Sequence, residues 1–296
     1  MKFKKTFSKA LALIMCLSLG IAVPMKTAKA DSLKVVTLGA DLTESQKESM
    51  LKYFGVTKKE ANIVYVTNDE EFKYLGKAAT KEQIGSKAIS CSYIEPTNKG
   101  GLKISINNIH WVTENMIKNS LITAGIENAN VVVGAPFNVS GTAALTGILK
   151  GFENSSAGEK IDENKKEAAN EELVVTGNLG EKIGQDEAAG LINEIKKEVV
   201  KENPKSEKDV KNIVKKTTSS YKDIKDKLSD EDIEKITALM DKINDLDLDF
   251  SKIKDQLNDV SSLLKEKLGS EEAQSFFSKI GEFLRNIGNF FSNLFS

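Results

Sequence analysis

The sequence predicts an α+β or α/β fold in two parts, an N-terminal α/β domain with a mixed sheet followed by a C-terminal all-helical region. Three observations lead there. Between Lys34 and Phe152, short β-branched runs alternate with short amphipathic stretches and Gly, Asn or Pro punctuation. From about Asn154 the chain turns to Lys-, Glu- and Asp-rich segments with apolar residues at helical spacing. The first thirty residues follow neither pattern and read as an address. The expected boundaries are 1–30 for a signal peptide, 31–153 for the α/β domain and 154–172 for a charged linker or exposed helix. The helical region then covers 173–296, with an amphipathic helix at 271–295.

In the first part, Lys34–Leu38 is a β-branched strand. Thr43 stands three residues before Gln46, the spacing of a capping box, and starts a helix to about Phe54. Asn62–Thr67 is a second strand and Asn68–Leu75 a helix with an acidic start. Lys87–Ile94 and Leu102–Ile109 are further strands, and Pro96–Gly101 between them reads as a hairpin loop. Thr113 caps a helix to about Ala124, closed by Gly125. Val131–Val133 is a short apolar strand, and Ser140 caps a helix through Phe152. The resulting order, β-α-β-α-β-β-α-β-α, is that of a mixed sheet with helices on at least one face.

In the second part, residues 154–170 have almost no apolar content. Helical periodicity then runs through Asp186–Glu202, Ser206–Leu228, Asp230–Leu246, Phe250–Leu268 and Glu271–Phe295. Ser206, Ser229 and Ser270 precede acidic residues, as N-caps do.

The N-terminus has a basic start (Lys2, Lys4, Lys5, Lys9), an apolar stretch from Ala10 to Val23, and Ala28-Lys29-Ala30 at the positions a signal peptidase reads. Cleavage is expected between Ala30 and Asp31, giving a secreted, extracellular or envelope-associated product. Cleavage removes six of the 42 basic residues and no acid, leaving 36 against 43 and a net charge of −7. An acidic surface is a poor match for nucleic acid. Cys91 is the one mature cysteine and His110 the one histidine, so intrachain disulfides, structural zinc and His-based catalysis are not expected.

Several separated motifs resemble one family. Ser140-Gly141-Thr142-Ala143-Ala144-Leu145-Thr146-Gly147 after Ala135-Pro136-Phe137 is similar to a hallmark of the YpuA-like secreted proteins, domain of unknown function 1002. Val36–Thr43, Thr176–Gly180 and Leu191–Lys196 resemble the same family in order, over roughly residues 33–200. The resemblance implies an exported protein of low-GC Gram-positive bacteria and brings no activity or catalytic residue with it.

Two groups of residues are candidate sites. Ser140, Gly141 and Thr142 open a helix whose N-terminus suits an anion or other polar ligand; the plainer alternative is a capping serine with small residues for close packing. His110 and Trp111 stand where a strand gives way to a helix and are candidates for the wall of a cleft, or else a surface histidine and a core-edge tryptophan. Asp245, Asp247 and Asp249 imitate a calcium loop but lack its Gly and bidentate Glu, since Phe250 and Gln256 stand there. No metal or cofactor is expected. At the C-terminus a seven-residue repeat aligns Phe276, Phe283 and Phe290, then Phe277, Leu284 and Phe291, then Ile280, Ile287 and Leu294, with Phe295 completing one apolar face. That face suits packing on the protein itself, self-association, a protein or envelope partner, or peripheral membrane contact. The functional expectation is a non-enzymatic envelope or extracellular protein acting through its surfaces. The alternatives are a wall-directed hydrolase using carboxylates or Ser140, and membrane-surface binding through the terminal helix.

Overall fold

A computed structural model describes residues 34–219 and 226–267. The proposed signal peptide and the terminal apolar repeat both lie outside the described residues.

The first part folds as expected in class, with a five-stranded mixed sheet. Its strands are β1 (Val35–Gly39), β2 (Asn62–Val66), β3 (Cys91–Pro96), β4 (Leu102–Ile109) and β5 (Ala129–Val139), in the spatial order β2-β1-β3-β5-β4. β1 pairs in parallel with β2, and β4 with β5, while β3 runs antiparallel to both β1 and β5. Four strands therefore point one way and β3 alone points back.

Helices α1 (Glu44–Tyr53), α2 (Asn68–Leu75) and α3 (Lys81–Ile84) each begin at a threonine capping box, at Thr43, Thr67 and Thr80. In each, the threonine side chain and the Gln or Glu three residues on satisfy two otherwise orphaned amides. α4 (Glu114–Thr123) and α5 (Thr142–Glu153) cover the face of the sheet opposite α1. Val36, Leu38 and Cys91 pack with Met50 and Leu51 of α1. Ile94, Val131 and Val133 pack with Ile117, Leu121, Leu145 and Ile148 of α4 and α5.

Beyond them lie α6 (Glu163–Ile183), α7 (Gln185–Glu202), α8 (Glu207–Ser219), α9 (Asp230–Asn244) and α10 (Phe250–Lys267). α7 is the central helix of this group: Leu191, Ile192, Ile195 and Val199 are fully buried. Each such side chain contributes roughly 1.5–3 kcal/mol on burial. α4 packs on α6, α7 and α10, so sheet and helices share one apolar core. Among the described residues no helix is long and apolar enough to cross a membrane.

Four local expectations are corrected. β3 and β4 are not a hairpin, because β5 inserts between them; the 97–101 connection is held across its start by Thr97 N–H to Asn128 O and Gly101 N–H to Asn128 Oδ1. β5 spans eleven residues rather than three, its Pro136 placed beyond the β3 ladder, which ends at Gly134. The cap of α5 is Gly141, at φ 94°, and no side chain caps the helix, so Ser140 is not an N-cap. The stretch read as a charged linker or exposed helix carries the first half of α6, where Ala168, Ala169, Asn170 and Glu172 are fully buried. Glu172 goes inside because Lys196 of α7 meets it: Nζ lies 2.8 Å from Glu172 Oε1 and also donates to Asn119 O and Thr123 Oγ1.

Candidate functional site

The carboxyl ends of β1, β2, β4 and β5 lie at one edge of the sheet, and the residues that follow them meet there. This edge is where open sheets of helix-connected parallel strands place ligands. A cleft of about 440 Å³ opens at it, walled by Glu71 of α2, Glu82 and Gln83 of α3, and the Gly85–Ser90 loop. His110, Trp111, Val139, Ser140, Thr142 and Ala143 supply the far wall, and Glu181 of α6 reaches the rim.

The β4–β5 ladder builds the far wall. Asn108 is left-handed, at φ 58°, and its Nδ2 donates to Ala135 O at 2.8 Å across a register shift between Asn107 and Ile109. Past this bulge the pairing resumes, with Ile109 opposite Val139, then His110 N–H to Val139 O and both Trp111 and Val112 N–H to Ser140 O. Bulges re-aim side chains at the ends of ladders, and this one sets His110 and Trp111 beside Ser140. Gly141 is required twice over: its φ is left-handed, and a Cβ there would lie 2.4 Å from Ile109 Cγ2.

Trp111 is fixed from behind. Gly177 of α6 admits the indole, since a Cβ at that position would stand 2.1 Å from Cζ2, and Nε1 donates to Glu181 Oε1 at 2.9 Å. The near wall is tied on by Thr142 Oγ1 to Gln83 O at 3.4 Å, Gln83 Nε2 to Asn178, and Ala88 N–H to Asp41 Oδ2 at 2.8 Å.

Glu71 is the anomalous residue. It is 1% exposed, and among the described residues neither carboxyl oxygen has a hydrogen-bond partner. Burial pushes its carboxyl from the ordinary 4.5 up to about 8, and the nearby Asp41 charge adds to the rise. Of the other lining acids, Glu82 and Glu181 are exposed, and Lys87 is the lining cation.

Ser140, Thr142, His110 and Trp111, two separate candidates in the sequence, thus line one cleft, with Gly141 buried behind it. His110 is exposed and Trp111 half-buried. Residues 134–139, which lead into Ser140, belong to β5. Ser140 Oγ lies 3.4 Å from Thr142 Oγ1, its one hydroxyl hydrogen bond among the described residues. Sequence reasoning missed Glu71, although a signal existed: it stands four residues before the fully buried Leu75, on the inward face of α2.

Asp245, Asp247 and Asp249 serve the turn between α9 and α10. Asp249 accepts from Ser251 N–H at 2.9 Å and Ser251 Oγ at 2.6 Å, while Leu246, Leu248 and Phe250 pack on the core. Among the described residues no group of three or more His, Cys, Asp or Glu side chains is placed to hold a metal ion. The ten apolar residues of the expected terminal helix, Phe276 to Phe295, lie outside the described residues.

Residues 38–260 match the family described as protein of unknown function (DUF1002). The chain is 41% identical over 263 residues to the uncharacterized protein YpuA of Bacillus subtilis (strain 168), covering 88% of this chain and 89% of that one. No solved structure matches.

Proposed function

For a chain that belongs to the DUF1002 family, we propose a role in recognition: an exported, non-enzymatic envelope or extracellular protein whose cleft at the carboxyl edge of the sheet receives a polar ligand. The observation that carries this reading is Glu71, a buried carboxyl without a partner on the wall of a cleft that also holds Trp111 and the start of α5. Buried polar groups are nearly always paired, so a lone one facing a cleft marks a place for an outside partner. Export is supported by the basic, apolar and small-residue succession of residues 1–30. The terminal apolar repeat supports a further contact, with an envelope partner, another copy or a membrane surface.

Fractionating producing cells into medium, wall and membrane tests the address; retention in the cytosol overturns it. Incubating the protein with wall material and peptides tests the recognition reading. Turnover that disappears in Glu71→Gln or Ser140→Ala overturns it.

That second outcome belongs to a wall-directed hydrolase. A specific observation favours it: Glu71 keeps its proton near neutral pH in a cleft that Glu82 and Glu181 also line, and a general acid needs that property.

A further inference from the structure

We infer that the cleft beside Glu71 binds a primary ammonium group, of the kind carried by an amino acid or the amino end of a peptide. The inference rests on the recognition reading above and names its ligand class. Three kinds of partner compete for the lone carboxyl. An anion is favoured by the N-terminus of α5, which no side chain caps. It meets Glu82 and Glu181 on the same lining, however, with Lys87 alone opposing them among the described residues. A neutral hydroxyl group pairs one oxygen and leaves the acidic lining uncompensated. An ammonium group brings three donors on one compact charge, enough for both Glu71 oxygens, and the acidic rim draws it inward. The start of α5 then faces whatever carbonyl or carboxylate accompanies the amine.

The ionisable groups around Glu71 are Asp41, Glu82, Lys87, His110 and Glu181. Asp41 is already held by the Ala88 amide, which leaves Glu71 as the buried acid without a partner.

The test titrates n-butylammonium chloride into the full chain, read by the fluorescence of Trp111, its one tryptophan, and by calorimetry. Pairing expels the proton of Glu71, so affinity rises about 50-fold between pH 6 and pH 8. The amine stays charged throughout, its value lying near that of a lysine, about 10.4. Glu71→Gln loses roughly tenfold or more at pH 8 and the pH dependence with it. Glu82→Gln, at the exposed rim, weakens binding only a few-fold and keeps the rise. Sodium propionate and N-acetylglucosamine run in parallel. A Glu71-dependent response to either, with butylammonium silent, overturns the ammonium assignment and leaves recognition at this cleft standing. Silence from all three overturns both. An ammonium response unchanged in Glu71→Gln overturns the assignment by placing the ion on the outer rim.

Discussion

Replacing Glu71 by Gln changes how the stability of the fold depends on pH. Below about 4.5 the carboxyl is protonated in the folded and the unfolded chain alike, and contributes no difference. As pH rises the unfolded chain releases its proton first, while the folded chain keeps it until about 8. The unfolded state is favoured throughout that window, so stability erodes across it and the whole loss is present above it. At about 1.4 kcal/mol per pH unit the loss reaches about 3 kcal/mol by pH 7 and about 5 kcal/mol above pH 8, an upper limit. The Glu71→Gln variant has no such step, and every other titrating group is common to both proteins. The stability difference in favour of Glu71→Gln therefore widens between pH 5 and pH 9. Guanidinium unfolding followed by far-UV circular dichroism measures it. Parallel profiles, with the difference changing by less than about 1 kcal/mol over that range, refute the reasoning: the carboxyl is then solvated or paired.

Three other outcomes follow from buried contacts. Lys196→Met leaves the buried Glu172 carboxyl with Thr123 as its remaining side-chain partner; a loss of about 3–5 kcal/mol is expected in denaturant unfolding, and Lys196→Met with Glu172→Leu restores most of it. Additive losses in the double variant contradict this. Gly177→Ala drives a methyl into the Trp111 indole, breaks its bond to Glu181, red-shifts the emission and removes about 1–3 kcal/mol; an unchanged spectrum counts against it. Cys91 is 1% exposed with its thiol pushed up to about 12, so mass spectrometry at pH 8 detects its alkylation only at the rate of unfolding. Fast labelling in the native state rules that out.

Local signals in the sequence reach as far as the elements they specify. Leu102–Ile109 alternates apolar and polar residues because β4 is an edge strand with one face on the core, and its limits are legible to the residue. The capping box at Thr43 and the acidic start at Asn68 fix α1 and α2 for the same reason: their determinants lie within four residues. Strand order has no local determinant, and the insertion of β5 between β3 and β4 defeats the hairpin reading of Pro96–Gly101. Glu172 and Lys196 look like solvated charges in the sequence because their pairing joins residues 24 positions apart on two successive helices, so the start of α6 reads as an exposed segment. The site is half legible. Ser140, Thr142, His110 and Trp111 follow strands and carry recognisable chemistry, whereas Glu71 becomes conspicuous only once its missing partner is known.

The residues around the cleft have little freedom of substitution: Gly141 is held by its φ and Ile109, Gly177 by the indole, Asn108 by a left-handed bulge. In that frame Glu71 opposes folding, where a leucine on the same face of α2 would not. A group that weakens the fold yet sits at the carboxyl edge of the sheet is accounted for when something outside the chain completes it. The two lines of reasoning then meet in one quantity. A ligand that pairs Glu71 must return the stability that the lone carboxyl withholds, because it binds the folded state alone. Butylammonium is therefore expected to raise the unfolding temperature more at pH 8 than at pH 6, where a proton already occupies the carboxyl, and to leave Glu71→Gln unmoved at both. Equal shifts at the two pH values, or a shift that survives the substitution, separate the binding from the buried carboxyl and leave Glu71 an unpaired acid with no partner of this kind.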